Sequence, residues 1–412
     1  MGQRLKINNG KVIVPSGKIQ NGSLLVDDGK IVAISDRDED FPGAVVINAE
    51  GQYVSPGFVD IHVHGGAGHD FMDGTVEAFL SIATLHARHG TTAMLPTSLS
   101  ASREELDATL DAYERAVEIN NRGASFIGMH LEGPYFAMAQ RGAQDPRYIR
   151  DPDPGEYEEI VKRAPFIKRW SAAPELTGAL AFGDFMRAHD VLPAAAHTDA
   201  IYEDVVKAFD HGFTLATHLY SGMSGVTRRN AFRYAGMIES AFIIDDMDVE
   251  IIADGVHLPA PFLKLIMKIK GPSRIALITD AMRAAGLPPG PSMLGSRLHG
   301  LPVIVEDDVA KLPDRSSFAG SVATADRLVR TMINQAGVSL TDAITMMTST
   351  PARIMRVHSK GALKPGMDAD VVLFNNEIRI DKTIVGGRII YDRSLTQDSN
   401  SSTASPLPSG VV

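Results

Sequence analysis

The chain has 412 residues with a formal net charge of −10, a hydrophobic fraction of 44% and a charged fraction of 22%. That much apolar material builds a large core and excludes a disordered or fibrous chain, while the acidic balance argues against a nucleic-acid or anionic-membrane partner. There is no cysteine, which removes disulfides, thiolate metal sites and cysteine nucleophiles and suits a reducing cytoplasm.

Residues 1–54 read as short strands, LKINNGKVIV, SLLVDDGKIVAI and AVVINAEGQYV, punctuated by Asn-Gly and Asp-Asp-Gly in the manner of hairpins. The opening stretch carries no apolar signal core, and its position six is Lys6 rather than the Ser or Thr of a myristoylation signal. No membrane segment is expected, and the predicted location is cytoplasmic. From Tyr53 onward, eight apolar runs alternate with amphipathic stretches: Tyr53–Gly65, Thr91–Ser98, Ser125–Pro134, Trp170–Glu175, Leu192–Thr198, Thr214–Tyr220, Glu250–His257 and Ile275–Met282. Helical patterns fill the intervals, including Ser102–Asn120, which opens on a Ser-x-x-Glu capping box. Two further helices are predicted at Thr324–Gln335 and Leu340–Met355.

Eight strand–helix units point to an α/β fold, a (β/α)8 TIM barrel. Strand-rich segments return in ADVVLFNN and TIVGGRIIY, so the two ends are expected to form one small β-sandwich module. The predicted division is 1–54 and 358–391 for that module, 55–357 for the catalytic barrel, and 392–412 for a Ser/Pro-rich disordered tail.

Six ligand-type residues fall at the C-terminal ends of the predicted strands. His62 and His64 stand in DIHVHG, Glu132 in HLEGP, His197 in AAHTD, His218 in ATHLY and Asp280 in LITDA. Residues two apart on a strand share a face, so both first-strand imidazoles can reach one metal. The C-terminal strand ends are where TIM-barrel active sites are built. Imidazole and carboxylate donors suit zinc, iron, cobalt or manganese. Such a cation acidifies water and polarises a carbonyl, and an adjacent aspartate can relay the proton. The set implies metal-assisted hydrolysis.

These residues lie within PGFVDIHVHG, TTAMLPTS, GMHLEGPY, AAAHTDA, ATHLYSGMS, EIIADGVHLP, ALITDAM, SFAGS and GALKPGMDADVVLF. Together the motifs resemble the amidohydrolase superfamily and, within it, the N-acetylglucosamine-6-phosphate deacetylases, from about residue 5 to residue 391. The resemblance implies hydrolysis of an N-acetyl amino-sugar phosphate by a homodimer holding one or two divalent ions, zinc foremost. It implies Glu132, His197 and His218 as metal ligands, with His62 and His64 available to a second ion bridged by Glu132, and Asp280 as the catalytic acid/base. Many relatives bridge their metals with a carboxylated lysine on the fourth strand. Here the only nearby lysine is Lys168, upstream of RWSAAPE. The resemblance also implies sugar contacts from Ala143, Gln144, Ser221, Gly222, Asp254, His257, Phe318, Ala319 and Gly320. Arg229 matches the phosphate arginine, with Arg228 and Arg233 as substitutes. His130 is a candidate supporting group, and the remaining histidines read as surface or helix residues.

The stretch 221–236 departs from the family pattern, with Ser221-Gly222 where Asn-Ala is usual. N-acetylgalactosamine 6-phosphate or an unphosphorylated N-acyl amino sugar therefore stands as an alternative substrate, and a non-catalytic scaffold as a third reading.

Overall fold

The computed structural model describes residues 3–395; the Ser/Pro-rich tail expected over 392–412 lies outside them from residue 396. Strands from the two ends of the chain form one sheet. Leu5–Ile13 pairs antiparallel with Ile19–Asp27, which pairs with Lys30–Ser35. Asp28 and Gly29, with φ of 48° and 74°, make the tight turn that Asp-Gly foretells. On its other side Leu5–Ile13 runs parallel to both Val45–Asn48 and Tyr53–Pro56. Tyr53–Pro56 pairs antiparallel with Val371–Phe374, followed by Ile380–Val385 and Arg388–Asp392. Leu5, Ile7, Val12, Leu24, Val26, Val54, Val371, Leu373 and Ile384 share a separate apolar core.

Two expectations change here. Asn9-Gly10 is not a hairpin turn but a bulge within one strand, where the register shifts between Ile7 and Gly10 and Asn9 takes φ 53°. A Cβ on Gly10 would lie 2.4 Å from Cγ2 of Val54, so the glycine is there for the close approach of Tyr53–Pro56. The run predicted as one strand, Tyr53–Gly65, is also split. Tyr53–Pro56 joins the terminal sheet, whereas Phe58–Val63 begins the parallel sheets.

Phe58–Val63, Thr91–Pro96 and Ser125–Phe126 lie parallel. Met129–Glu132, Ile167–Ala172, Leu192–Ala195, Leu215–Ala216, Asp248–Ile251 and Ile275–Leu277 form a second parallel sheet in chain order. A bridge from Thr97 to His130 joins the two. At the far end the Asp280 amide donates to the His62 carbonyl and the His64 amide to the Ala281 carbonyl, each at 2.9 Å. Helices alternate with the strands, and both faces of the sheets are apolar, as crossover helices require. Phe79, Tyr113, Trp170, Phe182 and Phe213 belong to the large core; Val59, Ile61, Ala93, Leu95, Leu215 and Ala276 form an inner cluster closed by Ala352 and Ile354. This is an α/β fold.

The capping box at Ser102 and Glu105 is present in both directions, and its helix runs Arg103–Ile119. The helix predicted at Leu340–Met355 breaks at Thr348 into Leu340–Met347 and Ser349–Ile354. Pro351 is the cause, since its ring lacks an N–H and clashes with a continuing helical carbonyl four residues back.

An antiparallel sheet absent from the sequence reading follows the last parallel strand: Gly290–Leu294, Leu301–Glu306, Val309–Lys311 and Phe318–Ser321. Its signal was legible in VIVEDDVAKL, where Asp307 and Asp308 both take positive φ in a two-residue turn. Among the described residues no helix is long and apolar enough to cross a membrane.

Candidate active site

The parallel strands end earlier than their hydrophobic patterns suggested. Glu132 and His62 are the last or near-last residues of their strands, whereas His197, His218 and Asp280 lie just beyond theirs. These three take left-handed φ of 45°, 34° and 46°, a conformation costly to residues with a Cβ and concentrated at functional sites. The backbone bends there, and the side chains converge with those of the earlier strands.

Glu132 is the hub. Its Oε1 lies 3.0 Å from Nε2 of His218, 3.3 Å from Nε2 of His62 and 3.7 Å from Nε2 of His197. Its Oε2 lies 3.4 Å from Nε2 of His64, and Oδ1 of Asp280 lies 3.2 Å from that same nitrogen. Two groups can therefore hold a cation, His62–His64–Glu132 and Glu132–His197–His218, sharing one carboxylate. The donor chemistry fits a divalent metal. Nε2 of His62 and Nε2 of His64 are only 3.2 Å apart, with further imidazole nitrogens aimed at the same carboxylate. Such a crowd of lone pairs in a buried pocket is what a cation satisfies.

The outer nitrogens are held in turn. Nδ1 of His197 lies 2.9 Å from the Gln140 carbonyl and Nδ1 of His64 lies 3.3 Å from the Thr97 carbonyl. Gly222 leaves room for the first of these contacts, since a Cβ there would lie 2.7 Å from Nδ1 of His197 and 2.8 Å from the Gln140 oxygen.

Charge and burial compete at these side chains. Burial would lower the His62 pKa, but the Glu132, Glu250 and Asp280 carboxylates raise it to about 9. His64 is likewise held well above its ordinary value by Asp280 and Glu132 against burial. Burial pushes the Glu132 carboxyl upward, yet the surrounding imidazoles hold it well below the usual range. Asp280 is lowered by His64 and His62 despite burial. A cation held here would compete with the protons on His62 and His64.

The cluster floors a cavity of about 530 Å³, whose wall includes Ala143, Gln144, Ser221, Gly222, His257, Phe318 and Gly320. Nδ1 of His257 lies 2.7 Å from Asp254, whose other oxygen accepts the Val256 and His257 amides. Asp254 is therefore buried behind His257 and does not reach the cavity, a correction to its expected sugar contact. Ala319 is also off the wall, packed into an apolar cluster with Met282 and Val305. Gln144 lines the cavity but donates to Oε2 of Glu132 at 2.7 Å while accepting from the Ser100 amide.

Arg229 departs most from expectation. It is exposed on the hairpin of Thr227–Arg229 and Phe232–Tyr234, over the Tyr234 ring, and is absent from the cavity wall. The cations on the wall are Lys311 and Arg315 of the unforeseen antiparallel sheet, each paired with Glu306. Lys168 points away from the site, half exposed and 3.9 Å from Asp190. His86, read as a surface or helix residue, lies in the helix Val76–Arg88 with its side chain wholly buried, and His130, the candidate supporting group, is wholly buried as well.

The chain matches the Amidohydrolase family over residues 53–390. With that coverage, and the relatives below, it belongs to the amidohydrolase family. Its similarity narrows further, to the deacetylases of hexosamine 6-phosphates. It is 30% identical to the N-acetylglucosamine-6-phosphate deacetylase of Lysinibacillus sphaericus over 84% of this chain and 88% of that one. It is 32% identical to the N-acetylgalactosamine-6-phosphate deacetylase of Escherichia coli O157:H7 over 84% and 89%. The solved Mycobacterium smegmatis N-acetyl-D-glucosamine-6-phosphate deacetylase, a mutant in complex with its N-acetyl-D-glucosamine-6-phosphate, superposes with a TM-score of 0.86 at 28% identity, covering 94% of this chain and 100% of that one.

Proposed function

We propose that this protein hydrolyses the acetamide of N-acetylglucosamine 6-phosphate, giving glucosamine 6-phosphate and acetate. The observation that carries the reading is the convergence of four imidazoles on the single carboxylate of Glu132, with Asp280 against His64, at the floor of a sugar-sized cavity. Glu132, His197 and His218 would hold one divalent ion, zinc in preference to iron, cobalt or manganese, and His62 and His64 a second. When bound, that ion supplies Lewis acidity, polarising the amide carbonyl and acidifying water. Asp280, ionised beside His64, takes the proton from the attacking water and delivers it to the departing amine. His257, its Nδ1–H held by Asp254, presents Nε2 to the cavity as an acceptor for a sugar hydroxyl.

The reading carries an architecture with it: a closed (β/α)8 barrel over 55–357 and a small β-sandwich from 1–54 with 358–391. The hydrogen bonds from the Asp280 amide to the His62 carbonyl and from the His64 amide to the Ala281 carbonyl support closure. It also carries a homodimer in the cytoplasm, where sugar phosphates reside. The hairpin bearing Arg229 exposes Phe232 and Val226, as a segment reaching toward a second copy would, and the phosphate end of that copy's site is the destination we assign to Arg229.

N-acetylgalactosamine 6-phosphate is the second reading, favoured by the Escherichia coli relative and the altered 221–236 stretch. The deciding experiment compares kcat/KM for both N-acetylhexosamine 6-phosphates and for unphosphorylated N-acetylglucosamine in zinc-supplemented buffer. A preference of about a hundredfold for the phosphorylated glucosamine derivative, roughly 2.7 kcal/mol, supports the proposal. Equal rates with and without phosphate overturn it.

A further inference from the structure

Directly beneath the site lies an ion pair with no exposure at all, Arg169 from the strand Ile167–Ala172 and Glu250 from the strand Asp248–Ile251. The pairing is two-pronged, with Nη1 on Oε1 and Nη2 on Oε2 at 2.8 Å. Arg169 also donates to Oγ1 of Thr217 at 2.8 Å and to the Ile61 carbonyl, which immediately precedes His62, at 3.2 Å. A buried ion pair of this kind is weak evidence for stability alone, because desolvation offsets most of the attraction. Its position suggests another purpose.

Oε2 of Glu250 stands 3.5 Å from Nδ1 of His62, and Nδ1 has no hydrogen-bond partner closer. Arg169 neutralises Glu250 and ties down the peptide of Ile61 at the same time. From Thr217 the contacts continue to Ser171 at 3.2 Å, from Ser171 to Nε2 of His130 at 2.7 Å, and from His130 to Oγ1 of Thr97 at 3.3 Å. Thr97 accepts at its carbonyl from His64. A polar floor therefore runs from one first-strand histidine to the other.

We propose that Glu250 and Arg169 are positioning residues for His62. They hold its Nδ1–H downward and its Nε2 toward Glu132, and so set the affinity of the His62–His64–Glu132 position for a divalent ion. The Glu132–His197–His218 position has supports of its own, Gln140 behind His197 among them, and the Glu250 carboxylate meets Arg169 and His62 rather than His197 or His218. The inference rests on the metal-dependent reading above. It makes Glu250 the determinant of whether this chain binds one ion or two.

The test is a zinc titration of the metal-stripped full-length protein, with a chromophoric chelator as competitor. Wild type is expected to bind two ions. Glu250→Gln should weaken one about 10- to 100-fold, the range for a lost supporting carboxylate, and leave the other within about twofold. Glu250→Asp should recover part of the loss. Adding Glu250→Gln to His62→Ala should cost nothing beyond His62→Ala. Where Glu250→Gln folds poorly, with Arg169 left unpaired, the double replacement of Arg169 and Glu250 by methionine removes both charges and serves in its place. Two unchanged affinities, equal weakening of both, or a wild type that binds one ion while remaining active each overturn the inference. A wild type that binds no zinc and has no deacetylase activity defeats the metal-dependent reading itself.

Discussion

Nε2 of His218 lies 3.0 Å from Oε1 of Glu132, although the two residues are 86 positions apart in the chain. That carboxylate belongs to both candidate ion positions. Glu132→Gln should therefore strip both at once, bringing bound zinc to background and deacetylation with it. Metal analysis of the purified variant checks this, beside a thermal melt to show that the fold survives.

Asp280 belongs to neither candidate ion group, so its neutral isostere isolates the proton relay. Asp280→Asn should retain zinc while kcat falls about 10²- to 10⁴-fold, the usual contribution of general acid–base catalysis. Single-turnover rates beside metal content separate the two effects, and a near wild-type rate would remove Asp280 from the role.

Gly222→Ala forces a Cβ against Nδ1 of His197 at a backbone φ of 55°. The contact from Gln140 to His197 should break, and zinc affinity at the Glu132–His197–His218 position should fall about 10-fold or more. The chelator competition reads this directly.

His86 gives a pH dependence outside the candidate metal groups. Burial lowers its pKa from 6.5 to about 4 while Nε2 sits 3.0 Å from the Gly65 carbonyl. The fold favours its neutral form, so stability is intact above the unfolded pKa and declines as pH falls through 6.5 toward 4. By pH 4 the loss from this group is about 3 kcal/mol. His86→Gln should remove that component, so denaturation curves of the two proteins at pH 7 and pH 4 should differ by that amount.

Arg229→Ala, on the hairpin assigned to a neighbouring copy, should raise KM for the phosphorylated sugar with little change in kcat, the pattern of lost uniform binding. Steady-state kinetics at saturating zinc test it. An unchanged KM would move the phosphate toward Lys311 and Arg315.

Much of the site was legible because its residues announce themselves chemically. His62, His64, Glu132, His197, His218 and Asp280 sit at the ends of apolar runs, and the spacing of two puts His62 and His64 on one face. What escaped were the groups that depend on partners distant in sequence. Arg169 and Glu250 are separated by 81 residues, and each reads alone as a solvated charge. Asp254 looked like a sugar contact because only the folded chain shows His257 standing in front of it. The bulge at Asn9-Gly10 was misread because the turn chemistry of Asn-Gly is local, whereas the neighbour that makes a hairpin unnecessary, Tyr53–Pro56, arrives some forty residues later. The Gly290–Ser321 sheet carried an ordinary hairpin signal; it was the regular strand–helix alternation around it that drew attention away.

The strand Tyr53–Pro56 lies between Leu5–Ile13 and Val371–Phe374, and the Gly57 amide just beyond it donates to the Asp370 carbonyl. The next residue begins the strand Phe58–Val63, which carries His62 and leads into His64. During synthesis the first ligands to emerge thus hang from a sheet whose closing strands are almost the last to be made. Non-local pairing of this kind is slow to form. The helices and parallel strands between can collapse as they leave the ribosome, but the Val371–Phe374 side of this sheet is added only after them. A nascent chain halted before residue 371 would hold the candidate ligands His62 and His64 without one side of the frame that aligns them.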